Sequence, residues 1–275
     1  MDNTSTHDRK KELSAVVKSI RTVDGQIKEL RNSKATSESD GKLKDAYSLM
    51  SSLYATVILQ YFDVVAVAYK SWDVHNSLWK ACFYNQIEQY RGEMRECNSA
   101  IKKLTKEQAN DGKSDKLRRK LLRVVTSFST FLSDSSTFYQ DLMLNLEMKL
   151  NAKGIDSNSL EMLRHHVYKC LLFLGDIARY TEQNTDSKEK NFSVALRYYE
   201  RAAFMEPESG NPHNQMAVLA GYGSADCVAV FHYCRSILAK KPFAAGLENL
   251  MNLCENMPLS PHITITLRVG PQALH

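Results

Sequence analysis

Apolar residues step by three and four along almost the whole chain. Between Arg9 and Leu30 they fall at Leu13, Val16, Val17, Ile20, Val23, Ile27 and Leu30, which gathers them on one face of an α-helix. The small, polar stretch 32–42 reads as a loop. A second helix follows, marked by Leu43, Tyr47, Met50, Tyr54, Val57, Ile58 and Tyr61. A third runs from Ser77 through Trp79, Cys82, Phe83, Ile87 and Tyr90 towards Leu104. Beyond a solvated loop, Leu117–Leu150 carries a single long stripe, Gly154 ends it, and helix resumes from Leu160 to about Tyr180. Residues 63–76, "DVVAVAYKSWDVHN", alternate β-branched positions. No partner strand is evident elsewhere, so helix or irregular connection is expected there. Residues 1–8 are expected to be a disordered start, and 258–275 a non-helical or disordered tail, since "HITITLRV" lies between prolines.

The second half repeats itself. Ala195, Tyr199, Ala202 and Pro207 follow the small–aromatic–small–proline spacing of the second helix of a tetratricopeptide unit. Small residues let two antiparallel helices approach, the aromatic fills the gap and the proline ends the helix. Thirty-four residues on stand Ala229, Tyr233 and Ser236, with Pro242 one position late. The repeats occupy about 166–209 and 210–243, inside one helical domain over 9–257. The link "TDSKEKNF" in the first repeat is longer than the repeat requires.

Composition narrows the class. Eleven glycines and six prolines in 275 residues are too few for the turns of an all-β protein, and 43% hydrophobic residues suffice for a sizeable core. Six cysteines without a C-x-x-C pair point to a reducing compartment, with no zinc and no disulfide framework. The first twenty residues contain no apolar signal core, and the longest apolar run, 64–69, is too short to span a bilayer. A cytoplasmic protein, with shuttling to the nucleus allowed, and no membrane partner are expected. No Gly-rich phosphate loop, nucleophile elbow or metal-ligand spacing is present, so neither enzyme activity nor a cofactor or metal is expected.

Two charged features remain. In "KLRRKLLR", Lys116, Arg119, Lys120 and Arg123 share a helix face. A solvated face is the ordinary reading, and weak nucleic-acid or acidic-peptide binding the alternative. In "LGDIARYTEQ", an otherwise apolar helix ends in Asp176, Arg179 and Tyr180. Spacing alone gives an Asp176–Arg179 pair at i,i+3, and the alternative is that the planar arginine fork with its neighbouring tyrosine receives a phosphate.

The segments "CLLFLGDIARY", "ALRYYERAAFMEPESGNPHNQMAVLA" and "VFHYCRSILAKKPFAAGLENL" resemble the N-terminal 14-3-3-like domain of the Est/Smg family: the ever-shorter-telomere protein and the decay factors Smg-five, Smg-six and Smg-seven. The likeness extends more weakly to 77–87 and 131–144. It implies an all-α fold, a nine-helix, 14-3-3-like right-handed bundle with tetratricopeptide-like helix pairs. It also implies a non-catalytic adaptor of nonsense-mediated mRNA decay. A concave groove would take a phosphoserine peptide of a phosphorylated Upf-one-type helicase, with deadenylase or decapping machinery recruited indirectly.

By the same resemblance, Arg179 and Tyr180 match the phosphate-binding Arg-Tyr pair, and Asn214 stands where an asparagine meets the peptide backbone. Tyr84 replaces a lysine of the Smg-seven pattern. Lys80, one turn earlier, is the candidate substitute. The alternatives are a heterodimerisation module, pairing with another Smg-type protein and with weakened phosphate binding, and a telomerase-associated nucleic-acid-binding protein.

Overall fold

Helix α1 (Asn3–Asn32) buries the predicted stripe, with Leu13, Ile20, Val23 and Ile27 all inside. It packs against α2 (Ser37–Gln60), whose Met50, Tyr54, Val57 and Ile58 are buried in turn. The computed structural model describes residues 3–33, 37–68, 72–103 and 112–256. Among these there are eleven α-helices and one π-helical segment. The chain divides into two compact units at Glu206/Pro207, where one helical domain over 9–257 was expected.

In the first unit, α3 (Phe62–Ala68) follows α2, and Arg9 fastens α1 to it through Asp63 (2.5 and 2.8 Å) and the carbonyl of Gln60 (2.7 Å). Next come α4 (Val74–Leu78), the π-helical segment Trp79–Tyr84 and α5 (Asn85–Lys103), contiguous in sequence. Asp73 caps α4 by accepting from the Asn76 N–H. Within the π segment, the Asn85 N–H reaches back five residues to the carbonyl of Lys80. Trp79 stacks on Phe173 there (4.6 Å, 10° between planes), and Phe83 packs against the fully buried Tyr139.

Helix α6 (Lys113–Leu150) is one long rod, lined inside by Phe128, Leu132, Tyr139, Leu142 and Leu146. Helix α7 (Ser157–Gln183) lies against α6 and α8 (Ser193–Met205). That explains its all-round apolar character: every residue from Cys170 to Gly175 is buried. The approach of α7 to α8 is closer than a side chain permits. A Cβ on Gly175 would lie 2.4 Å from the Tyr199 ring. The long link between them is held by its own bonds: Lys190 donates to the Thr185 carbonyl (2.6 Å), and the Asn191 N–H to Glu182 (2.8 Å).

The second unit holds α9 (Asn211–Tyr222), α10 (Asp226–Ile237) and α11 (Gly246–Asn256) around Ala217, Ala229, Tyr233 and Leu250. Gly210 lies against the Ser236 carbonyl, which a Cβ would meet at 2.2 Å. The six repeated positions are packing positions. Ala195, Tyr199 and Ala202 are buried in the first unit, and Ala229, Tyr233 and Ser236 in the second.

Several expectations change. Helix begins at Asn3, inside the expected disordered start 1–8. Residues 63–76 keep to the expected helix or irregular connection: they form α3 and the start of α4 on either side of 69–71, which lie outside the described residues. Helix α6 starts at Lys113, four residues before the predicted Leu117. The tail 258–275 and Leu104 lie outside the described residues.

Candidate phosphate-binding site

Arg179 sits near the end of α7, with only 11% of its side chain exposed. Its Nη2 donates to Asp176 Oδ1 (2.8 Å) and its Nε to the hydroxyl of Tyr199 (3.4 Å). The same hydroxyl donates to Asp176 Oδ1 at 2.7 Å. Three groups from α7 and α8 thus close one hydrogen-bonded ring. Burial alone would lower the Arg179 pKa, but the charge of Asp176 and the neighbouring tyrosines raise it overall, so the guanidinium stays charged. Tyr199 is pushed well above the usual phenol range, first by burial and then by Asp176. It is a hydroxyl donor, not a phenolate.

The free face of this guanidinium meets an aromatic ring. Arg179 lies 4.5 Å from the ring centre of Tyr180, and Arg91, from α5, lies 5.2 Å from the same centre. Burial raises the Tyr180 pKa, while Arg179 lowers it in part. Two guanidinium groups thereby converge on one ring from two helices. On α5, Glu88 pairs with Arg91 and stands 3.9 Å from Arg95. Counting formal charges, Arg91, Arg95 and Arg179 exceed Glu88 and Asp176 by one.

The sequence-based candidates fall in different places. Arg179 and Tyr180 are together. Tyr84 and Lys80 are exposed on the π segment. Tyr84 is seven residues, two turns or about 10 Å, before Arg91, on the same side of the rod. Among the described residues, no hydrogen bond or ion pair joins Lys80 or Tyr84 to Arg179. Asn214 is buried in the second unit, where its Oδ1 accepts from Asn249 Nδ2 at 2.9 Å. Sequence reasoning missed Arg91. Its available signal was the face Tyr84, Glu88, Arg91, Arg95, spaced at 4, 3 and 4 from the end of the π segment into α5.

Among the described residues, no group of three or more His, Cys, Asp or Glu side chains could hold a metal ion. No described helix is long and apolar enough to cross a membrane.

Paired helices that gather two arginines around one tyrosine ring define an all-α protein. Comparison with known proteins gives its relatives. Residues 73–185, which contain every residue of the site except Tyr199, match the family described as "Telomerase activating protein Est1". Residues 195–262 match the "Est1 DNA/RNA binding domain". The chain is 30% identical over 248 residues to an Arabidopsis thaliana protein named "Nonsense-mediated mRNA decay factor SMG7-like". That alignment covers 88% of this chain and 24% of the relative. It is 27% identical to the Danio rerio "Telomerase-binding protein EST1A", over 86% of this chain and 15% of that one. The chain therefore spans about a quarter or less of the length of these relatives. The fold is similar to a chain in the "Crystal structure of Est1 and Cdc13", with a TM-score of 0.55, 20% identity, and coverage of 85% of this chain and 45% of that one. The chain belongs to the Est1/SMG family.

Proposed function

We propose that this chain is a non-catalytic, cytoplasmic adaptor module of nonsense-mediated mRNA decay that receives a phosphoserine side chain at Arg179, Tyr180 and Arg91. The observation that carries it is the convergence of two guanidiniums on the Tyr180 ring. A phosphoserine brings three strong acceptor oxygens and up to two negative charges, which suit two arginine forks and a tyrosine hydroxyl. The relatives named as decay factors support the choice of pathway. The bound peptide would come from a phosphorylated Upf-one-type helicase. Pairing with a second SMG-type chain and indirect recruitment of deadenylation or decapping complete the proposal.

Arg91 alters the weight of Tyr84. The resemblance made a lysine at position 84 the second cation, and its replacement suggested a weakened site. Arg91, two turns further on, supplies a second cation from the same helical rod.

The test is a titration of phosphorylated and unphosphorylated helicase peptides at two salt concentrations. Preference for the phosphorylated form, reduced in Arg179→Lys and Arg91→Gln, is the expected result. Equal affinity for the two peptides would sink the proposal.

A second reading has its own observation. Residues 102–123 carry nine basic and three acidic side chains, a net +6 against +5 for the whole chain. Lys116, Arg118, Arg119, Lys120 and Arg123 are all exposed at the start of α6. Concentrated charge of this kind suits a nucleic-acid backbone. Binding to single-stranded RNA that weakens steeply with salt, and that is lost on Arg119→Glu with Arg123→Glu, would favour it.

A further inference from the structure

We propose that Glu88 is an internal anion that occupies the second arginine of this site, and that an incoming phosphate must displace it. The inference rests on the phosphoserine reading above and adds how the site discriminates.

Glu88, Arg91 and Arg95 follow one another on a single face of α5, with Tyr84 one turn earlier at the end of the π segment. The Glu88 carboxylate uses both oxygens: Oε1 pairs with Arg91 Nη1, and Oε2 stands 3.9 Å from Arg95 Nη2. One carboxylate thus bridges two guanidiniums, one of which lies over the Tyr180 ring. That is the position of an anion already bound.

The two arginines over Tyr180 are held in unequal ways. Asp176 and Arg179 are only 17% and 11% exposed, and Tyr199 secures both from another helix. Breaking that pair would strand a buried charge. Glu88 and Arg91 are 34% and 37% exposed and belong to the same helix at i,i+3. A solvated pair of this kind contributes only a few tenths of a kcal/mol. When a stronger anion arrives, the Glu88 pair gives way and the Asp176 pair does not.

Selectivity follows from the competition. A dianionic phosphate offers more charge and more acceptor oxygens than the carboxylate it replaces, so the exchange is favourable. A glutamate or aspartate in a peptide would replace one carboxylate with another, with no gain in charge. Glu88 therefore acts against acidic, unphosphorylated segments, a repulsive element that narrows the choice of partner.

The experiment uses the full chain and three fluorescent peptides of one sequence, bearing phosphoserine, serine or glutamate at the central position. Wild type, Glu88→Gln, Arg91→Gln and the double variant are titrated, with melting curves confirming that each is folded. Glu88→Gln is expected to bind the phosphoserine peptide about twofold more tightly, and to gain more for the glutamate peptide, so that discrimination narrows. The gain should vanish in the Arg91→Gln background, because it acts through that side chain. A gain that persists undiminished without Arg91 would show only long-range charge relief and would overturn the proposal. So would unchanged affinity in Glu88→Gln while Arg179→Lys still weakens the wild type; the phosphoserine reading would then survive alone. If no variant distinguishes the phosphoserine peptide from its serine twin, both fall.

Discussion

Gly175 on α7 lies so close to Tyr199 on α8 that a Cβ there would be 2.4 Å from the ring. The Tyr199 ring cannot swing aside freely, because its hydroxyl is held by Asp176 and Arg179. The packing of the repeat and the geometry of the candidate site are therefore one structure. Gly175→Ala should cost at least about 1–3 kcal/mol through overpacking. It should also loosen Arg179, so that phosphopeptide affinity falls along with the denaturant midpoint. An unchanged midpoint would show that α8 moves away at little cost.

Arg179→Lys and Arg179→Glu should separate charge from shape. Lysine keeps the positive charge but loses the fork that spans Asp176 and Tyr199. Phosphopeptide affinity is expected to fall about tenfold with a modest loss of stability. Glutamate would set a second buried carboxylate beside Asp176, and about 3–5 kcal/mol of destabilisation is expected. Chemical denaturation of both variants, beside the peptide titration, checks the order.

Acid should weaken the first unit. His75 Nε2 and His166 Nδ1 are 2.7 Å apart, an arrangement in which one ring donates and the other accepts. Burial, joined by the charges of His166, Lys169 and His165, holds His75 well below its usual pKa. Burial and His165 lower His166 to about 4, against the opposing pull of Asp73. Between the ordinary value of 6.5 and about 4, the unfolded chain binds protons that the folded chain refuses. Stability is full above pH 6.5 and should decline as pH falls through that window, with a slope of up to about 1.4 kcal/mol per pH unit for each histidine. Melting temperature against pH measures this, and His166→Gln should flatten the profile.

The second unit has its own tight contact. Gly210→Ala would drive a Cβ to 2.2 Å from the backbone carbonyl of Ser236, which has no flexible end to yield. A loss of at least about 1–3 kcal/mol is expected. Hydrogen exchange should report it in α9 and α10.

The sequence by itself determined what depends on neighbours three and four residues away. The stripe of α1, the long rod of α6 and the all-round apolar middle of α7 follow from helical period alone. Likewise the spacing of Ala195, Tyr199 and Ala202, repeated at Ala229, Tyr233 and Ser236, marked positions that are buried. Asp176 and Arg179 were legible as a pair because both stand on one turn.

Only the tertiary structure decided which helices meet and at what depth. It carried Arg91 to Tyr180 across 89 positions of chain, placed Tyr199 against Asp176, and joined His75 to His166. It also turned a residue pair of ordinary surface spacing into a buried one, and formed a π turn where an α turn was expected at Lys80. Local period fixes the face on which a side chain stands. It does not specify the partner across an interface, because that depends on crossing angle, offset and the small residues that let two helices touch.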